Sequence, residues 1–168
     1  LRARRVFFLG VMWTPRGPKL LEYNVRFGDP ETQVLMELLD EDLPGLLKEV
    51  AEGRLERQDL TFKPGCALTV VLAAEGYPET PVKGVPITLG PAAVRVIHAG
   101  TRKEEGRWLT HGGRVLNLVA HAPDLDQARR TLLEALPQAD WPGRQVRHDI
   151  GLRALRHAEA HRTVADAW

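Results

Sequence analysis

Glu22, Asn24 and Arg26 stand two residues apart in the stretch Lys19–Thr32, Lys-Leu-Leu-Glu-Tyr-Asn-Val-Arg-Phe-Gly-Asp-Pro-Glu-Thr. A strand sends alternate side chains to opposite faces. Leu21, Tyr23, Val25 and Phe27 then form an apolar face, and Leu20, Glu22, Asn24 and Arg26 the other. The Cα atoms of Glu22 and Asn24 would lie roughly 6–7 Å apart. Both offer oxygen, the ligand type Mg²⁺ prefers, and Mg²⁺ usually takes one or two protein ligands plus substrate phosphates. Arg26 can grip a carboxylate or phosphate through its fork of donors. Beyond Gly28, the run Asp29-Pro30-Glu31 reads as a helix start, with Asp29 as N-cap, Pro30 at the first helical position and Glu31 in the first turn. A helix N-terminus favours anions. Taken alone, the same alternation also fits a half-solvated sheet.

The elements needed to hold these groups follow from the pattern on either side. Arg5–Trp13 is rich in β-formers, Thr14-Pro15-Arg16-Gly17-Pro18 is a turn cluster, and Lys19–Arg26 returns as the second strand of a hairpin. Thr32–Leu39 continues as a helix with Val34, Leu35, Leu38 and Leu39 on one stripe. A second helix runs from Asp42 to Glu52, with Gly53 at its C-terminal cap. Arg54–Pro64 is irregular, and a domain boundary falls at Pro64-Gly65. Beyond it the composition turns to β. Cys66–Ala74 reads as a strand covered on both faces, Glu75–Pro86 as a loop, and Val94–Ala99, Arg107–Thr110 and Arg114–His121 as strands. Lys103–Gly106 forms a turn between the first two of these. Asp124 caps a helix over Leu125–Leu136 whose Ala128, Leu132, Leu133 and Leu136 face a core. Asp149-Ile150-Gly151 precedes a short helix ending near Leu155. The fold class is α+β.

Composition excludes several functions. The 168-residue chain carries a net charge of +1, which gives no electrostatic ground for nucleic acid or a membrane surface. Cys66 is the single cysteine, so no intramolecular disulfide can form. It opens an apolar run and reads as a small buried hydrophobe. No apolar stretch reaches membrane-spanning length. No Ser-His-Asp or Cys-His arrangement supports a covalent protein nucleophile. His98 reads as a hydrogen-bonded structural residue at a strand end. Gly112-Gly113-Arg114 fits either a tight turn or a close backbone approach beside a cation. His157 and His161 could share a helix face, but no third metal ligand is evident.

Leu21-Glu22-Tyr23-Asn24-Val25-Arg26-Phe27-Gly28-Asp29-Pro30-Glu31-Thr32-Gln33 resembles the signature of the phosphoribosylamine–glycine ligase family of the ATP-grasp superfamily. Val71–Pro78, His98-Ala99-Gly100-Thr101, Gly112–Leu116 and Arg147–Gly151 resemble later blocks of that family, in the same order. The resemblance implies that residues 1–62 are the end of an ATP-grasp domain, a β-hairpin plus helices. Residues 63–155 would be a small β-rich C-terminal domain with a packing helix, and 156–168 a terminal tail outside the family pattern. It implies an ATP-dependent ligase of the cytoplasm that joins glycine to 5-phosphoribosylamine through a glycyl phosphate. Glu22 and Asn24 would hold Mg²⁺ or Mn²⁺, Arg26 would serve catalysis and substrate binding, and Asp29, Glu31 and Thr32 would orient the small substrates. Many ATP-grasp enzymes carry a further acid on the preceding strand, whereas Val6–Trp13 holds none. The chain opens at Leu1, so the resemblance places the adenine-binding and lid segments upstream, as partners of this part, and expects the part alone to be inactive. Two other readings are another ATP-grasp carboxylate–amine ligase and a detached, non-catalytic packing module.

Overall fold

The computed structural model describes residues 4, 6–57 and 59–157. It divides into two units, residues 1–63 and 64–168.

Unit 1 is built on an antiparallel hairpin, β1 (Phe8–Thr14) and β2 (Gly17–Asn24). Gly17, with φ of 90°, supplies the left-handed backbone the tight turn requires. Pairing runs Phe8↔Asn24, Leu9↔Tyr23 and Gly10↔Glu22, then slips to Val11↔Leu20, which leaves Leu21 as the extra residue of a bulge. The expected alternation therefore breaks at Leu21. It also stops at Asn24, because Val25 and Arg26 lie in a bend. Helix α1 (Glu31–Leu38) starts later than expected. Pro30 occupies the N-cap position and no side chain caps the helix. The Asp29 carboxylate is engaged by the Gln33 amide instead, at 2.9 Å. Helix α2 (Leu43–Glu52) ends as its sequence indicates, at Gly53 with φ of 71°.

Among its described residues, unit 2 holds two four-stranded antiparallel sheets and an eleven-residue helix, with a further short helix at 152–157. Its strands are β3 (Cys66–Ala73), β4 (Pro86–Leu89), β5 (Arg95–His98), β6 (Thr101–Glu104), β7 (Arg107–Thr110), β8 (Arg114–Ala122), β9 (Ala139–Asp140) and β10 (Gln145–Val146). The sheets run β10-β3-β8-β5 and β6-β7-β4-β9. The Glu105-Gly106 turn joins β6 to β7, so the strand before that turn is Thr101–Glu104 and not Val94–Ala99. Helix α3 (Leu125–Ala135) begins as its sequence indicates. The Asp124 carboxylate accepts from the Gln127 backbone N–H at 2.8 Å. Its Ala128, Leu132 and Ala135 are buried. One face of β3 and β8, with Val70, Leu72, Leu116 and Leu118, joins Leu132, Leu136 and Trp141 in the core. The strand expected to be covered on both faces is half-buried from Cys66 to Thr69 and at Val71, and buried at Val70, Leu72 and Ala73. The sequence reading places no strand at β4, β9 or β10. They are stretches of two to four residues, too short for a period to show.

Residues 152–157 are helical. The expectations for His161 and the rest of the tail lie outside the described residues.

Candidate functional site

Glu22 and Asn24 sit on the same side of β2, opposite Gly10 and Phe8. Glu22 is exposed and Asn24 half-buried. Two oxygen donors on one strand face suit a hard divalent cation. Among the described residues no group of three or more His, Cys, Asp or Glu could hold a metal ion. A cation at Glu22 and Asn24 would therefore draw most of its oxygen shell from a bound ligand and water.

Arg26 follows Asn24 but lies beyond the strand, so strand alternation does not set its direction. Its Nη1 donates to the Phe27 carbonyl at 2.8 Å. The next segment is a compact turn closed on itself. Thr32 N–H donates to the Gly28 carbonyl at 3.1 Å, and the Thr32 hydroxyl donates to the same oxygen. Gly28 is buried, and a side chain there would overlap the Glu31 carboxylate and approach the Phe8 ring. Glu31 therefore folds back over Gly28. Asp29, Glu31 and Thr32 all belong to this turn. Asp29 and Thr32 serve its closure through side-chain hydrogen bonds.

Unit 2 assembles three motifs that are far apart in sequence. Ala74 N–H donates to the Gly113 carbonyl at 2.8 Å, Gly100 N–H to the Arg114 carbonyl at 2.9 Å, and His111 N–H to the Gly100 carbonyl at 2.7 Å. A side chain at Gly113 would overlap the Tyr77 ring, and one at Gly100 would overlap Gly112 and the Arg114 carbonyl. The Gly-Tyr-Pro loop, the His-Ala-Gly-Thr block and Gly112-Gly113-Arg114 thus meet at one end of the β10-β3-β8-β5 sheet. Gly112 and Gly113 form a bend with close backbone approach to Gly100, and because β7 and β8 lie in different sheets the segment is not a hairpin turn. His98 is hydrogen-bonded at its strand end: its Nδ1 is 2.9 Å from the Thr101 hydroxyl, and its ring lies 4.1 Å from the Trp108 ring. Burial holds the His98 pKa below the usual histidine value.

The Arg147–Gly151 block is a latch. Arg129 of α3 donates to the His148 and Ile150 carbonyls, each at 2.9 Å. The Arg147 fork binds the Asp149 carboxylate at 3.0 and 2.8 Å. This pairing raises the Arg147 pKa and lowers that of Asp149. Sequence reading missed Asn117, which is 1% exposed with both side-chain polar atoms unpartnered. It sits in an apolar run where nothing in the spacing singles it out.

Residues 67–153 match the family described as phosphoribosylglycinamide synthetase, C domain. The chain is 46% identical over 162 residues to phosphoribosylamine–glycine ligase of Brucella melitensis, covering 94% of this chain and 38% of that protein. It is 43% identical over 159 residues to the ligase of Mesorhizobium japonicum, covering 92% and 37%. The crystal structure of phosphoribosylamine–glycine ligase from Thermotoga maritima matches with a TM-score of 0.74 at 38% identity, over 86% of this chain and 36% of that one. The biotin carboxylase domain of Hydrogenobacter thermophilus 2-oxoglutarate carboxylase, solved with MgADP, matches with a TM-score of 0.61 at 20% identity, over 83% and 32%. That likeness shows a shared fold. The chain spans less than two fifths of the length of the relatives it matches.

Proposed function

Because the chain belongs to the phosphoribosylglycinamide synthetase family through its C domain, we propose that it works as the C-terminal part of an ATP-dependent ligase of purine biosynthesis. The reaction joins glycine to 5-phosphoribosylamine, giving glycinamide ribonucleotide, ADP and phosphate. The glycine carboxylate attacks the γ-phosphate of ATP and releases ADP. The phosphoribosylamine nitrogen then attacks the glycyl carbonyl carbon and expels phosphate. Such chemistry depends on positioning and charge stabilisation more than on an acid–base pair.

One observation carries this reading. The hairpin that presents Glu22 and Asn24 on one side lies within a stretch about 45% identical to ligases of that name. Glu22 and Asn24 would hold Mg²⁺, or Mn²⁺, against nucleotide phosphates. The cation would neutralise phosphate charge as it is transferred. Arg26 would meet the glycine carboxylate or the developing phosphate after giving up its bond to Phe27. The turn formed by Asp29, Glu31 and Thr32 would present backbone donors to the small substrates. The upstream ATP-grasp segments would complete the nucleotide site, and the reaction would take place in the cytoplasm. The fold is shared with a biotin carboxylase domain at 20% identity, against 46% for the Brucella melitensis ligase, so a different ATP-grasp carboxylate–amine ligase is the weaker reading.

The test is ADP release by the full-length protein with each substrate omitted in turn. Release that requires both glycine and phosphoribosylamine supports the reading. Release that depends on another carboxylate–amine pair overturns it. The isolated chain is expected to make no glycinamide ribonucleotide.

A further inference from the structure

Gly10 stands directly across the hairpin from Glu22. A Cβ at Gly10 would lie 3.0 Å from Glu22 Cγ, with the Glu22 carbonyl oxygen and amide nitrogen next, at 3.6 and 3.8 Å. All three nearest atoms belong to one residue. The backbone itself does not call for glycine, since Gly10 is not among the residues with positive φ. Glycine weakens a strand interior, because it brings extra chain entropy and no side chain to pack. What it provides at this position is room, and the stem of Glu22 occupies that room. The bulge follows at once: pairing slips between Gly10 and Val11 and leaves Leu21 as the extra residue. Bulges sharpen the local twist and re-aim neighbouring side chains. Two separate features of the hairpin therefore border Glu22.

We propose that Gly10 is a positioning residue for the cation site, keeping β1 clear so that the Glu22 stem lies across it and its carboxylate can share a divalent cation with Asn24. The inference rests on the metal reading of Glu22 and Asn24 given above. A methyl group at position 10 requires the Glu22 stem, or the facing strand, to give by a few tenths of an ångström. Either change spoils the alignment of two oxygen donors that a cation of fixed radius requires. Residues that orient a metal ligand without touching the metal typically alter affinity by about 10- to 100-fold.

The test uses the full-length ligase containing this chain as wild type, Gly10→Ala, Glu22→Gln and the double variant. Mn²⁺ binding in the presence of ADP is read from the electron paramagnetic resonance of the free ion, alongside thermal melting. The expected result is an Mn²⁺ dissociation constant raised about tenfold by Gly10→Ala, with melting unchanged or higher because alanine suits a strand better than glycine. In the Glu22→Gln background, Gly10→Ala should add nothing. An unchanged dissociation constant in Gly10→Ala overturns the proposal. So does an equal weakening in both backgrounds, since Gly10 would then act independently of Glu22. A Gly10→Ala protein that fails to fold also overturns it, because the backbone would then be what needs glycine. If Glu22→Gln binds Mn²⁺ as tightly as wild type, the metal reading itself fails. That result differs from one in which Glu22→Gln weakens binding and Gly10→Ala does not.

Discussion

Glu22 and Asn24 share a side of β2 because two residues is one full period of a strand, and that much is legible from the sequence. The direction of Arg26 is not, because the strand ends at Asn24 and a bend intervenes. The apolar partner face is likewise only half legible. Tyr23 remains 63% exposed, and Val25 lies in the bend at 51%. Alternation says which residues point together and says nothing of where a strand stops or bulges. The Asp29-Pro30 helix start misleads for a related reason. The Asp29 carboxylate accepts from the Gln33 side-chain amide, and no side chain caps the helix. At this scale the metal reading makes a direct prediction. In the full-length protein, Glu22→Gln keeps the shape of the side chain and removes its charge. Turnover should fall on the order of a hundredfold, as for the loss of one electrostatic transition-state contact. Raised Mg²⁺ should relieve the loss in part. Near-normal turnover at low Mg²⁺, with an unchanged melt, would assign Glu22 to the solvated surface of the sheet.

Among the elements, those with a long uninterrupted period are read correctly from sequence: α3 with its Asp124 cap, α2 with its Gly53 end, and the nine-residue strand β8. The segment after α2 is irregular, as its sequence reads, but its anchoring is not legible, because that comes from contacts distant in sequence. The Glu41 carboxylate accepts from Arg57 Nη1 at 2.8 Å, Arg57 Nη2 at 3.2 Å and the Thr61 backbone N–H at 2.8 Å. Lys63 N–H donates to the Leu38 carbonyl, and Leu39 bridges Phe62. The segment thereby closes an apolar groove of about 310 Å³ lined by α1 and α2 through Leu35, Leu39, Leu46 and Val50, together with Phe62. The Arg57 side chain, and then the Thr61 N–H, hold the Glu41 pKa below its ordinary value of 4.5. A carboxylate shifted down in the folded state contributes stability above its unfolded pKa and loses it as pH falls through the lowered folded value. Limited proteolysis around Arg57 and Thr61 should therefore speed up only as the pH drops through and below 4.5. Arg57→Ala should show the faster cleavage already at neutral pH. Cleavage of Arg57→Ala at the wild-type rate would show that the clasp does not hold the segment.

At the scale of the whole molecule, burial is uneven. Every fully buried hydrophobic among the described residues lies in unit 2, whereas Leu9, Trp13 and Leu21 of the hairpin are 60%, 79% and 64% exposed. A two-stranded hairpin is marginal by itself. The hairpin belongs to a chain spanning 38% of a ligase it closely matches, so unit 1 is expected to gain its support from the remainder of the full-length protein. The most direct measurement of the central claim uses that remainder. The matching 38% of the Brucella melitensis ligase is replaced by this chain, and the purified chimera is assayed for glycinamide ribonucleotide from ATP, glycine and phosphoribosylamine. The account predicts Mg²⁺-dependent product formation by the chimera. A chimera that folds, as judged by a cooperative melt, and binds ATP yet forms no glycinamide ribonucleotide would contradict it.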